Sequence, residues 1–221
     1  MARIMKPLVK SGGYYPSSRM VPLVYPGGYT TMQSESVLPE GYTEVNGLSF
    51  NSDCYFMIPD LKLRGSDTVR FGMIPRTACN VFGCYTNTTA DNNYSLYIST
   101  ATNSKYLRYN GSTYKSRFTT DTYGEQFNIV ITPTGSHGMP EGQDDTWDEA
   151  DFTASVNMCI GTTAVNASSA KFKGSFIGAF TVDGRFNGIP CKRNADNVLG
   201  YYDTVSGTFY EPEAGTPTVV E

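Results

Sequence analysis

Lys105-Tyr106-Leu107-Arg108-Tyr109-Asn110-Gly111-Ser112-Thr113-Tyr114-Lys115-Ser116-Arg117 is the stretch that decides the fold. Two runs of alternating large and polar residues flank Asn110-Gly111, the pair favoured where both central residues of a tight turn need positive φ. The alternation has the period of two that belongs to a strand, so the segment reads as a β-hairpin with a two-residue turn.

The same texture extends outward in both directions. From Leu38 onward, short runs of β-branched and aromatic residues are separated by Gly, Asn, Asp and Pro. Strands are expected at 54–58, 68–74, 93–99, 106–109, 113–118, 127–132, 154–160 and 173–182. No window carries a sustained apolar stripe at helical spacing, so any helix should be limited to a turn or two. With 22 Gly, 16 Tyr and 12 Phe in 221 residues, the expectation is an all-β antiparallel sandwich over residues 37–221.

Residues 1–36 have a different character. They hold Pro7, Pro16, Pro22 and Pro26 with Gly12, Gly13, Gly27 and Gly28, and show neither helical nor strand periodicity. Their four basic residues, Arg3, Lys6, Lys10 and Arg19, stand against Glu35 alone; beyond them 13 basic and 20 acidic residues leave a net −7. The segment also carries Tyr14, Tyr15, Tyr25 and Tyr29 among further apolar residues, which are costly to leave in water. It reads as an extended arm that orders on a partner surface, with Arg3, Lys6, Lys10, Tyr14, Tyr15, Arg19, Tyr25 and Tyr29 as the partner-binding residues. The repeat of Gly-Gly-Tyr at 12–14 and 27–29 is either two similar docking steps or chance in a Gly- and Tyr-rich chain.

No apolar run approaches the roughly 20 residues needed to cross a bilayer, and the first residues lack the apolar core of a secretion signal. Synthesis in a cytoplasm is therefore expected. Five cysteines, Cys54, Cys79, Cys84, Cys159 and Cys191, show no metal-type spacing and read as free thiols, most of them filling the core. On that reading the acceptor-like patterns at Asn87, Asn93, Asn110 and Asn166 are without meaning.

With the strands placed, two sets of motifs resemble those of concanavalin A-like, laminin-G-like domains of bacteriophage virion proteins. The opening Leu38-Pro39-Glu40-Gly41-Tyr42-Thr43-Glu44-Val45, followed by Asp67–Met73, is similar to the family's first strands. Gly188-Ile189-Pro190-Cys191-Lys192 and Val198-Leu199-Gly200-Tyr201-Tyr202-Asp203, closing on Gly207-Thr208-Phe209-Tyr210, resemble its final strands. There Gly200 and Gly207 would permit turns, and Tyr201, Phe209 and Tyr210 would pack back on the sandwich. The resemblance spans 38–211. It implies a jelly roll and a place in a phage particle as a capsid decoration, head-fibre or tail component, synthesised in the bacterial host. Its partners would be capsid, portal or tail proteins and further copies of itself, with a host surface glycan as an alternative ligand.

The search for chemistry returns little. The paired-carboxylate patterns by which strands of this fold cleave polysaccharides do not occur, and no phosphate-cradling Gly-Lys-Ser/Thr loop accompanies Asp148-Glu149-Ala150-Asp151. His137, the single histidine, has no ligand-spaced neighbours. The chain is therefore expected to be non-enzymatic, without cofactor or metal. Glu141, Asp144, Asp145, Asp148, Glu149 and Asp151 flank Trp147, and three readings stay open. The loop could hold calcium, Trp147 could stack on a sugar with Asp144, Asp145 and Asp148 accepting hydroxyls, or the segment is a solvated insertion. The tyrosines at 85, 94, 97, 106, 109, 114 and 123 either fill half-buried pleats or present a binding face. An acidic domain disfavours nucleic acid.

Overall fold

Asn110 and Gly111 turn the chain with φ of 46° and 76°, and the flanking strands pair from Ser112 with Tyr109 to Arg117 with Ser104. The two-residue hairpin expected from the sequence is therefore present with its register fixed by the turn. This computed structural model describes residues 20–24, 30–34, 37–51, 53–85, 92–99, 104–117, 123–139, 144–163 and 171–220. Among them there are strands and turns and no helix.

The chain divides into two units, Met1–Pro39 and Glu40–Glu221. In the first, β1 (Met20–Val24) and β2 (Thr30–Ser34) pair antiparallel, with Met20 opposite Ser34 and Val24 opposite Thr30. Strand structure thus occurs where the sequence shows no strand periodicity. Val21, Val24, Thr30 and Thr31 supply β-branched residues, and Pro22 is tolerated because each strand of a two-stranded ribbon is an edge. The basic and tyrosine residues assigned to the arm, Arg3, Lys6, Lys10, Tyr14, Tyr15, Arg19, Tyr25 and Tyr29, lie outside the described residues.

The second unit contains β3 (Tyr42–Glu44), β4 (Gly47–Phe50), β5 (Phe56–Ile58), β6 (Val69–Pro75), β7 (Asn80–Cys84), β8 (Tyr94–Ser99), β9 (Ser104–Tyr109) and β10 (Ser112–Arg117). It continues with β11 (Phe127–Thr132), β12 (Gly135–His137), β13 (Met158–Ile160), β14 (Gly174–Val182), β15 (Phe186–Arg193), β16 (Leu199–Asp203), β17 (Thr208–Tyr210) and β18 (Thr218–Val219). A six-stranded sheet runs β10-β9-β8-β7-β13-β5. A ten-stranded sheet follows β12-β11-β6-β14-β15-β16-β17, with β4, β18 and β3 paired alongside β14, β4 and β15. All pairs are antiparallel, and the two sheets form a β-sandwich.

Three differences from the expected strands have physical reasons. β7, Asn80-Val81-Phe82-Gly83-Cys84, is buried at every position, so it lacks the inside-outside alternation by which strands are recognised. The strand expected at 154–160 shortens to Met158–Ile160 because Ala154 N–H donates to Leu63 O at 2.7 Å, and Thr153 bridges to Arg64. Gly200 lies inside β16 rather than in a turn, where an added Cβ would come within 2.3 Å of Tyr210 O. Gly207 does turn the chain, at φ 72°.

β14 organises the larger sheet. Along one edge it pairs with β6, and along the other its first half pairs with β4 and its second half with β15. The change of partner falls at Gly178, whose φ is 66° and whose N–H donates to Asn46 O at 2.8 Å. A register shift against β6 between Ile177 and Thr181 marks the same bend.

The core lies between the sheets and is aromatic. Phe71 and Phe180 stack at 5.0 Å with rings 9° apart, and Phe82 of the opposite sheet packs on both, at 5.2 and 5.5 Å. Phe176 continues the row to Phe50 and Phe172 at 5.2 and 4.5 Å. Phe56 meets Tyr201 at 5.0 Å, again across the sandwich. Phe180→Ala should cost about 3–5 kcal/mol, through lost transfer energy plus a cavity that rigid neighbours cannot fill. Val205→Ala, at a position 52% exposed, should stay within about 0.5 kcal/mol of the parent. Urea unfolding of the two variants checks the contrast.

Candidate functional site

The acidic segment is tied to the fold rather than looping free. Ser136 N–H donates to Asp145 O at 2.9 Å, Trp147 N–H donates to Thr134 O at 3.1 Å, and Thr146 bridges to Gly135. Asp144 Oδ1 accepts the Met139 N–H at 3.1 Å, and its Oδ2 lies 3.9 Å from His137 Nδ1. Asp148, Glu149 and Asp151 are exposed. Among the described residues no group of three or more His, Cys, Asp or Glu side chains is placed to hold a metal ion.

Trp147 lies inside the fold. It is 9% exposed and its ring packs on Tyr109 at 5.1 Å, within the core. A ring so placed has no open face for a sugar to stack on. The Tyr109 hydroxyl anchors this corner, accepting the Ala150 N–H at 3.1 Å and lying 3.0 and 3.1 Å from the Gly65 and Pro133 carbonyls. Tryptophan in an acidic run looks like a binding loop in sequence; here it is the apolar peg that fixes a segment whose charges face water.

The tyrosines divide between the two readings. Tyr94 and Tyr109 are buried, their rings 5.7 Å apart. Tyr85 and Tyr97 are half-buried. The side chains of Tyr106 and Tyr114 are outside the described set.

A cleft of about 360 Å³ opens at one end of the sandwich, and of its lining residues Asp203 and Tyr210 belong to the closing motifs quoted from the sequence. It is lined by the 58–61 corner after β5, the β14–β15 turn at Gly184 to Phe186, the β16–β17 turn at Asp203 to Ser206, and Tyr210. Ile58 and Phe186 give it an apolar floor, while Asp60 and Val205 are exposed at the rim. A cavity of this size and lining suits one or two sugar rings or a short side chain of a partner.

Most of its polar groups hold the walls in place. Asp203, 2% exposed, accepts from Asn187 N–H at 2.8 Å and Val205 N–H at 3.1 Å through Oδ1. Its Oδ2 accepts from Ser206 N–H at 3.2 Å and Ser206 Oγ at 2.6 Å. Arg185 Nη1 donates to Asp67 Oδ2 at 2.5 Å and to Lys62 O at 3.0 Å. Such groups shape a pocket and hold its turns in place. Only the Gly-x-Tyr-Asp pattern around Asp203 could have drawn attention to this end, and the pattern does not say that the carboxylate caps a turn.

The five cysteines are free and buried. Burial pushes the thiols of Cys54, Cys79, Cys84 and Cys159 up to about 12, and that of Cys191 to about 11. No helix long and apolar enough to cross a membrane occurs among the described residues. No family model matches the chain, and no curated protein matches it by sequence.

Two outcomes follow from these groups. Asp203→Ala should lower stability by about 3 kcal/mol, because buried N–H donors lose a charged acceptor, and Asp203→Asn should cost less because one oxygen remains. The thiols set a pH window. Their folded pKa values lie above the ordinary 9.0, so their favourable contribution is complete below about pH 9 and is lost as pH rises toward 11–12. The urea midpoint should therefore fall between pH 9 and 11, less steeply in a Cys79→Ala, Cys159→Ala variant.

Proposed function

We propose that this chain is a structural protein of a bacteriophage particle, anchored to capsid, portal or tail neighbours by its N-terminal segment and displaying the sandwich, a concanavalin A-like jelly roll, at the particle surface. The observation that carries this reading is the asymmetry between the two units. Every strand of the Glu40–Glu221 unit finds its ladder partners within that unit, so the sandwich closes its sheets from its own sequence. The N-terminal unit contributes a two-stranded ribbon, and such a ribbon is marginal in water without further packing. Its basic residues oppose a domain of net −7, and its tyrosines and prolines suit an ordered-on-contact anchor. The motifs at 38–45, 188–192 and 198–210 add the likeness to virion domains.

The reading assigns no catalysis, cofactor or nucleic acid to the chain; its partners are other virion proteins and further copies of itself. A second reading, recognition of a host surface glycan, is favoured by the cleft at Ile58, Arg185, Phe186 and Tyr210. The deciding experiment mixes particles stripped of this protein with the full-length chain and with a version beginning at Ser36, and measures co-sedimentation. The full-length chain should bind and the shortened one should not. Equal binding by both would refute the anchoring role of residues 1–36.

A further inference from the structure

The β8–β9–β10 end of the six-stranded sheet differs in charge from the rest of the domain. Residues 92–120 contain Lys105, Arg108, Lys115 and Arg117 and no acidic residue, whereas the remainder beyond residue 36 has nine basic and twenty acidic residues. Ser95 lies opposite Arg108, Arg108 lies opposite Thr113, and Lys115 and Arg117 occupy the next alternate positions along β10. The intervening residues Tyr94, Leu96, Leu107 and Tyr109 are buried in the core, so the Arg108 positions belong to the outer face.

Arg108 is held there by two tyrosines. Its guanidinium carbon lies 4.0 Å from the Tyr85 ring centroid and 5.1 Å from that of Tyr97, and Nη2 donates to the Tyr97 hydroxyl at 3.2 Å. The directly opposite Ser95 is 0% exposed. Both its Oγ and Arg108 Nε are enclosed without a hydrogen-bond partner among the described residues. Among the described residues the other half-buried arginines are neutralised: Arg70 by Asp183, Arg185 by Asp67, and Arg193 by Asp196 and Glu211. Arg108 forms no ion pair with a described residue. Rings offset part of the desolvation of a guanidinium, but they supply no counter-charge.

We infer that this outer face binds an acidic polysaccharide, with Arg108 as its anchor for the anionic group. A carboxylate or phosphate oxygen can accept from the outward N–H groups of the half-buried guanidinium. Exposed Ser112 and Thr113 and the half-buried rings of Tyr85 and Tyr97 offer the hydroxyl and flat apolar surface that sugar rings use. Nucleic-acid binding of this kind gains its strength from many phosphates neutralised at once, whereas residues 92–120 supply four basic residues in all, and a sugar acid can be held by one guanidinium with hydroxyl contacts beside it. The inference gives the glycan reading a chemical class and a place distinct from the cleft. It is independent of anchoring by residues 1–36.

The test measures binding of the purified full-length chain, without particles, to polygalacturonate, poly(glycerol phosphate), dextran and single-stranded DNA. Binding to one or both of the first two is expected, which also identifies carboxylate or phosphate as the recognised group, together with weakening as salt is raised. Arg108→Gln should weaken binding at least tenfold, and Arg108→Lys should recover only part of it, since charge is kept and the fork is lost. A Lys115→Gln, Arg117→Gln variant, read in the same way, keeps the test open if Arg108→Gln does not fold; it should also weaken binding. Failure to bind either acidic polymer, preference for DNA or dextran, or unchanged affinity in these variants would overturn the inference. The co-sedimentation result stands or falls separately.

Discussion

Phe71, Phe180 and Phe82 form the packing on which the rest of this domain depends. The first two belong to the ten-stranded sheet and stack on each other, and the third reaches across from the six-stranded sheet to touch both. Each ring buries a large apolar area, and the edge-to-face arrangement adds a directional preference that aliphatic side chains lack. Because protein interiors are close-packed, fixing these three rings fixes the separation and relative rotation of the two sheets. Phe176, Phe50, Phe172, Phe56 and Tyr201 extend the same seam in both directions.

That seam also explains why β14 must bend. Phe176 and Phe180 both face the core from one strand, yet the strand has to serve β4 before residue 178 and β15 after it. Gly178 with positive φ absorbs the change of direction at a place where an L side chain would be strained. Beyond the bend, the β14–β15 and β16–β17 turns stand apart from the 58–61 corner, and the cleft lies between them. Asp203 holds the β16–β17 turn and Arg185 is tied to Asp67, so the cleft inherits rigid walls from polar groups that are already satisfied.

The periphery of the sandwich carries contrasting charge. Carboxylates are spread over most of the domain, while the β8–β10 end has none between residues 92 and 120. Trp147 and the tyrosine facing it show how a chemically suggestive residue can be recruited to structure: the indole pegs down an acidic segment whose side chains remain in water. Arg108 shows the converse, a residue of ordinary appearance in a strand that the fold sets against two tyrosine rings without an ion pair to a described carboxylate.

By itself the sequence determined the local structure and the class of the fold. Asn110-Gly111 specified a two-residue turn because few residues adopt positive φ at both positions, and runs of β-branched and aromatic residues at 127–132 and 93–99 marked strands. The burial of the cysteines was legible for the same kind of reason, since no spacing suited another use. Tertiary structure alone decided the rest. β7 is invisible to periodicity because both of its faces are covered, and the β1–β2 pairing hides in a segment rich in Pro and Gly. The residues lining the cleft come from three separate turns of the chain. The isolation of Arg108 and the burial of Trp147 depend on which neighbours the sheets bring to them, and that is set by long-range register and packing, not by the few residues on either side.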